Sequence, residues 1–314
     1  FKQKTAYEIM PSLVGSEMCI RDSLSGVMIS FFHAVPVIFS ARLIEGIGCG
    51  AFLPPAFALL SKLKRKEREF GYFMFFLNGG LAVGMYLTGM VIGLRILDID
   101  SYCNGVFLFT AFTFIPLLFS FYLPESENPV RTSFFLEIKK TFEIFLDRNF
   151  MYVWTLTFVV FGCIGAIIAH FSSFASQMNE TEIGVILGCS YLSTMVASAL
   201  AGWIPTNRRT LIITGIFISG LGMVYTIFNP SGLIILGIGG GFSMVGIASL
   251  ISDFDVEQGK AMGIFNACTY AGMSFLPILL GILIPHTGYS TAFGVYGAAV
   301  LFFGIFSLIR TSHR

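Results

Sequence analysis

Apolar residues in this chain come in blocks of about 20, the length a helix needs to cross the hydrocarbon core of a bilayer. The blocks fall near 24–39, 40–62, 70–94, 103–123, 150–174, 183–204, 210–228, 232–252, 261–284 and 291–310, the first of them incomplete. Strands of a membrane barrel would be about ten residues long and alternate in polarity, and these blocks do neither. Inside hydrocarbon every backbone polar group must be satisfied within its own segment, so the blocks are read as helices. Composition agrees: 12% of residues are charged and 55% hydrophobic, against about 25% charged in a soluble domain. The expectation is an all-α polytopic membrane protein with ten spans and the lipid bilayer as its first partner.

The chain also repeats itself. Glu69, Gly71, Met74, Asn78, Gly84, Met85 and Gly93 stand 188 positions before Glu257, Gly259, Met262, Asn266, Gly272, Met273 and Gly281. That is seven identities over the 25 positions 69–93, where roughly two are expected by chance. Upstream, Gly46-Ile47-Gly48-Cys49-Gly50 resembles Gly237-Ile238-Gly239-Gly240-Gly241 at a shift of 191. A long-period parallel repeat inside a hydrophobic chain marks two membrane halves that arose from one.

Lys and Arg set the orientation. One set of loops carries Lys62, Lys64, Arg65, Lys66, Arg68, Arg131, Lys139, Lys140, Arg148, Arg208, Arg209, Lys260, Arg310 and Arg314. The other set has Arg95, beside Asp98 and Asp100. The first set, with the C-terminus, is expected to be cytoplasmic, in a protein of the plasma membrane.

Lys2 to Ser23 stand apart. Lys2-Gln3-Lys4-Thr5-Ala6-Tyr7-Glu8 reads as a translated flow-cell primer, and Leu13 to Ser23 as a translated transposase adapter, with Ile9 to Ser12 in the place of a sample index. No apolar core of signal-peptide length is present there. Residues 1–23 are therefore set aside, and the gene is expected to enter at Leu24, already inside a span.

From Leu24 to Arg314 the chain resembles the major facilitator superfamily. Arg42-Leu43-Ile44-Glu45-Gly46-Ile47-Gly48, followed by Pro54 and Pro55, looks like that family's fourth-span opening. Gly84, Gly89 and Gly93 resemble the glycine motif of its drug-efflux branch, with Met90 where that motif has proline. Pro277 and Gly281 sit at the corresponding depth of the second half. Gly202 with Thr206, Asn207, Arg208 and Arg209 looks like a shortened copy of the family's cytoplasmic loop motif, with Thr206 in place of its aspartate. The resemblance implies two pseudo-symmetric six-helix bundles, here lacking their first two helices. It places spans 3–6 in 24–123, a cytoplasmic linker in 124–149 and spans 7–12 in 150–314, the whole acting as a monomer. Phe134 to Leu146 within the linker is amphipathic and suited to the membrane surface.

Ionisable residues inside a span are costly and so are functional candidates. Arg42 can bind substrate or couple to a proton. It can equally pair with Glu45 on the same helix face, or reach the outer interface. Glu45 can load and release a proton. Histidine changes charge near neutral pH, which makes His170 and His33 candidates against a structural, hydrogen-bonded reading. Asn78 and Asn266 match across the repeat and either line a pathway or bond between helices, with the structural role favoured. Gly46, Gly50, Gly84, Gly89, Gly93, Gly272, Pro277 and Gly281 are expected to let helices approach closely. Asp253, Asp255 and Glu257 cluster at a helix end, either solvated or forming an interhelical ion-pair gate.

Other chemistries find no support. Beyond Cys19, Cys49, Cys103, Cys163, Cys189 and Cys268 are scattered, with neither metal-ligand spacing nor a disulfide framework. No phosphate-binding loop is present, and Gly237 to Gly241 lies inside a span with no strand before it, so helix packing is expected there. The basic loops are explained by topology rather than by nucleic acid. Asn179-Glu180-Thr181 matches a glycosylation acceptor. No cofactor, metal or enzymatic centre is expected. The reading is a secondary transporter of a small molecule, exporting it with protons as the coupling ion. Metabolite or sugar uptake and a non-transporting membrane sensor are the alternatives.

Overall fold

A computed structural model describes residues 10–94, 101–120, 134–148, 150–204 and 206–312. Among the described residues every regular element is a helix: α1 (Met10–Phe31), α2 (Val35–Leu60), α3 (Lys66–Leu94), α4 (Ser101–Ser120), α5 (Phe134–Leu146), α6 (Met151–Phe174), α7 (Glu180–Trp203), α8 (Arg208–Thr226), α9 (Gly232–Ile251) and α10 (Gln258–Ser312). Seven are long and apolar enough to cross a membrane, with Gln258–Phe306 counted as one. That last element is two spans. Gly288 breaks it at φ 78°, a left-handed conformation that favours glycine, and Tyr296 Oη donates to the Leu276 carbonyl at 2.8 Å. The two arms therefore lie side by side, which makes eight spans of sufficient length and apolarity among the described residues. Of the other two expected spans, α1 does not qualify and α4 contributes the shorter apolar stretch Val106–Pro116. Arg95, Asp98, Asp100, Pro124, Pro129 and Arg131 lie outside the described residues.

The first boundary differs from expectation. The apolar block 24–39 is not one span: α1 ends at Phe31, and α2 starts at Val35 rather than at 40. Pro36 is the cause. It stands in the first turn of α2, where its missing N–H leaves no bond unmade, behind Ala34 in extended conformation. Upstream, α1 continues back to Met10, across part of the stretch set aside.

α5 separates two groups of helices. After it, α6, α8, α9 and α10 close around Trp154, Phe161, Ile167, Phe171, Met223 and Leu233, all buried. Between membrane helices tight van der Waals contact does the work that water does elsewhere, and glycine permits it. Gly239 lies against Ser219 and Gly215 of α8, while Gly241 lies against Thr194 and Ala197 of α7. The 237–241 run is therefore a helix-packing surface between α7 and α8. Asn179 caps α7: its side chain accepts from the Glu182 N–H at 2.8 Å, and Glu182 returns a bond to the Asn179 N–H at 3.0 Å.

The group before α5 is looser. α1 packs on α2 and α4, with Ser30 and Thr110 hydroxyls 3.0 Å apart. α3 leans instead on α7 of the other group. An apolar groove of about 820 Å³ runs between α3, α4 and α7, past Phe76, Phe109, Phe112 and Met195.

Candidate functional site

α2 and α10 belong to different groups and meet. Near the start of α2, Arg42 Nη1 donates to Glu45 Oε2 at 2.6 Å, the pair that i, i+3 spacing permits. Ser25 of α1 donates to the same carboxylate oxygen at 3.3 Å. The Arg42 side chain is still 56% exposed and that of Glu45 27%, so the guanidinium keeps donors free for another anion or hydroxyl. Seven residues on, about 10 Å along the helix, Cys49 Sγ lies 3.3 Å from Tyr270 Oη of α10. Polar groups from α1, α2 and α10 thus line one stretch between the two groups of helices.

Beyond Cys49 the character changes. Phe57 is fully buried, with ring centroids 5.9 Å from Phe70, 5.2 Å from Phe73 and 6.1 Å from Phe265. These rings fill the space between α2, α3 and α10. One turn further, the end bearing the basic loops is held by ions. Arg208 Nε and Nη2 donate to Glu67 Oε1 at 2.9 and 2.6 Å. Asp253 pairs with both Arg208 and Lys66. Arg68 stacks 4.2 Å over the Trp203 ring and 5.2 Å over Tyr72. Each part-exposed pair stabilises by about 0–1 kcal/mol, so the closure depends on the network rather than on one bridge. On α5, Lys260 of α10 pairs with Glu137 at 2.7 Å, and this hydrogen bond holds the Glu137 carboxyl below the usual carboxylate range. Among the described residues no three His, Cys, Asp or Glu are grouped to hold a metal.

The stack runs from an accessible polar pair, through an aromatic plug, to a charged clasp. The sequence profile of the Major Facilitator Superfamily matches residues 23–254 and 174–314. The chain belongs to the major facilitator superfamily. The two matches overlap over 174–254, as expected where one half resembles the other. No curated protein matches by sequence. Solved structures of the same fold include the human organic anion transporter MFSD10 (TETRAN), at 13% identity over 96% of this chain and 81% of that one, TM-score 0.70. FucP in its outward conformation superposes at 0.68, with 13% identity over 96% of this chain and 84% of that one. The proton:xylose symporter XylE, bound to 6-bromo-6-deoxy-D-glucose, superposes at 0.69, with 16% identity over 94% and 79%. Identities this low show the fold. This superfamily member is an integral membrane transport protein.

Several sequence-predicted residues come together. His170 Nε2 lies 3.0 Å from the Pro277 carbonyl, and Gly281 lets the ring in, since a Cβ there would sit 3.3 Å from His170 Cε1. The three lock α6 to α10. Asn78 and Asn266 do not meet each other. Each is buried and donates one turn back along its own helix, Asn78 to Met74 O at 2.8 Å and Asn266 to Met262 O at 3.0 Å. The repeat thus preserves donor and acceptor together. Gly89 faces Gly184 of α7, each blocking a Cβ on the other at 2.7 Å; near the clasp a Cβ on Gly71 would meet the Ser198 carbonyl at 2.8 Å and Gly202 Cα at 3.2 Å, and one on Gly202 would meet the Glu67 carbonyl at 2.8 Å. The expected close approach at Gly46, Gly50 and Gly84 is not made: nothing lies within 4 Å of a Cβ at any of them. Gly46 and Gly50 face the open stretch beside Arg42, and Gly84 faces away from α7. The contacts of Gly93 lie outside the described residues. Arg209 lends its backbone N–H to the Asn207 cap at 3.1 Å, leaving the ionic work of the loop to Arg208.

Sequence reasoning missed Tyr270, Cys49 and the Phe57 plug, because a phenol, a thiol and a ring in a span read as ordinary core. It also missed Glu67, whose partner lies 141 residues away. The complementary charges of the loops at 62–68, 206–209 and 253–257 were the available signal.

Proposed function

We propose that the protein is a secondary active transporter that exports a small amphipathic solute in exchange for protons. It works by alternating access, with the basic loops and the C-terminus in the cytoplasm of the cell and the plasma membrane as its site. The Arg42–Glu45 pair carries this reading. It sits at the accessible end of a path whose other end is shut by the plug and the clasp, and its guanidinium is half free. Solute and proton take turns on the pair: the ionised pair holds the solute's polar group through Arg42 and Glu45, and protonation of Glu45 releases it. Opening the clasp between Arg208, Glu67, Asp253 and Lys66 lets the halves rock about the site.

We also propose that two spans precede Leu24 in the natural protein and complete the first bundle. The open space at Gly84 supports this, because its repeat partner Gly272 is tightly packed. The test begins with long-read sequencing of the source DNA across Leu24. The restored protein then goes into liposomes under an imposed pH gradient. Proton-dependent flux is expected, and its loss on Arg42→Ala; flux unchanged by Arg42→Ala removes Arg42 from the mechanism. Robust flux by the 24–314 chain alone would defeat the two-span proposal.

A second reading, uptake of a sugar or other metabolite together with protons, is supported by the likeness to a proton:xylose symporter. The sign of the gradient separates them. Export needs protons outside the solute-loaded vesicle face that corresponds to the extracellular side, and accumulates solute there. Symport moves both the same way.

A further inference from the structure

Beside the clasp, and sharing Glu67 and Arg208 with it, lie cations that the transport reading leaves unused. A cavity of about 550 Å³ opens between the α2–α3 turn and the α7–α8 turn, lined by Lys64, Arg65, Glu67, Arg68, Trp203 and Arg208, with Thr206 and Asn207 at its rim. Four cations face one carboxylate, which itself is engaged by Arg208. Lys64 and Arg65 are exposed and, among the described residues, have no ion-pair partner. Both α3 and α8 begin at this cavity, at Lys66 and Arg208. Their first-turn N–H groups and positive dipole ends favour an anion there.

The surroundings point to an amphiphile rather than a free anion. Trp203 and Ile204 end α7 with large apolar side chains exposed beside the charged floor. Tryptophan at the end of a span marks the level of lipid head groups. An acyl chain can run along the outer face of α7 while its head group reaches the cations. We propose that this cavity binds the phosphate head group of an anionic phospholipid. Lys64 and Arg65 come from the group of helices before α5 and Arg208 from the group after it, so one bound phosphate bridges both. It therefore binds the closed clasp more tightly than the parted one and favours the closed state by that difference.

The test uses the whole 314-residue chain in mixed micelles of phosphatidylcholine, titrated with phosphatidylglycerol and read by native mass spectrometry. Each exposed cation near a lipid surface contributes about five-fold in affinity, so Lys64→Ala with Arg65→Ala is expected to weaken phosphatidylglycerol binding roughly twenty-fold. Thr206→Asp removes no cation but adds a carboxylate at the rim, and is expected to weaken it as well. Lys139→Ala, exposed on α5 away from the cavity, is expected to leave it unchanged. Inorganic phosphate at millimolar concentration is expected not to displace the lipid. Undiminished binding by the Lys64/Arg65 variant, an equal loss with Lys139→Ala, or displacement by inorganic phosphate would each overturn the proposal. None of these readouts depends on flux, so failure here leaves the transport reading standing.

Discussion

Gly272 and Gly84 occupy the same place in the repeat and have opposite surroundings, and one methyl group can measure the difference. At Gly272 a Cβ would run into the Phe158 carbonyl oxygen and lie 3.1 Å from the Cα and N of Gly162. All three are backbone atoms of α6, so no side chain can turn aside and the helices must part by several tenths of an ångström. Overpacking of this kind costs about 1–3 kcal/mol. Alanine returns about 0.8–1 kcal/mol through helix propensity. Gly272→Ala should therefore be neutral at best and destabilising by about 2 kcal/mol at worst. At Gly84 nothing lies within 4 Å, only the propensity gain applies, and Gly84→Ala should stabilise by up to about 1 kcal/mol. The two variants are expected to differ by about 1–3 kcal/mol. Thermal unfolding of the purified chain in detergent reads this directly, with Trp154 buried in the α6 core as the fluorescent reporter. Equal midpoints for the two variants would refute the idea that α6 packs on α10 through glycine while the matching face of α3 is unfilled.

Further tests bear on the clasp, the linker helix and the tight helix crossings. Arg208→Ala removes both of its ion pairs and leaves Glu67 and Asp253 without it; the population open at the basic end should rise, by up to about thirty-fold, seen as a longer distance between spin labels at Lys62 and Thr210, and an unmoved distribution would show that the clasp carries no conformational energy. Glu137 has a lowered carboxyl pKa because Lys260 hydrogen-bonds to its charged form. Its contribution to docking α5 is complete above the ordinary carboxylate value and is lost as pH falls through the lower folded value. Hydrogen-exchange protection of α5 should therefore hold from pH 7 to 5 and decline only below about 4; a decline near pH 6 would point to another group. Gly89→Val forces α3 off α7 at Gly184 and should lower the unfolding midpoint more than Gly46→Val, which meets open space; the reverse order would count against the α3–α7 contact.

The architecture was legible because membrane helices announce themselves. Length and apolarity marked ten spans, and eight of them have the length and apolarity to cross among the described residues; the α1–α2 join was misplaced, since a continuous apolar run hides a break that one proline makes. The clasp was half legible: loop charges placed Arg208 and Asp253 at the same end, but partner choice depends on which loops the fold brings together. Glycine gave the weakest guide. The same small residue lines the tight α3–α7 crossing at Gly89 and the open stretch at Gly46, and nothing local separates the two. Polar residues were read more safely: for Asn78 the structural role was favoured, and both it and His170 bond helix backbone. Tyr270 was not singled out and Cys49 was only one of the scattered cysteines, yet the two meet at the open stretch.

The repeat carries one step further than any single residue. It maps α3 onto the first arm of α10, so what packs on one arm has a counterpart position on the other. On α10 the stripe Phe265, Cys268, Thr269 and Gly272 is buried, largely against α6. The residues 188 earlier, Leu77, Gly80, Leu81 and Gly84, are exposed. On α3 the stripe Ala82, Met85, Tyr86 and Gly89 meets α7. The residues 188 later include Tyr270, Met273 and Ser274, which are exposed. Thus α3 has the neighbour that α10 lacks, and α10 has the neighbour that α3 lacks. Two helices, one standing where α6 stands and one where α7 stands, would restore the symmetry and bury both stripes at once. The consequence is measurable with single cysteines in a background lacking the native ones. Maleimide labelling at positions 84 and 274 should slow at least ten-fold in a protein carrying the two spans proposed to precede Leu24. Labelling at Phe228, whose ring is 79% exposed at the far end of the bundle, should not change. Slowing at 84 alone would mean that one helix is supplied rather than two, and no slowing at either would mean that lipid, not protein, covers both faces.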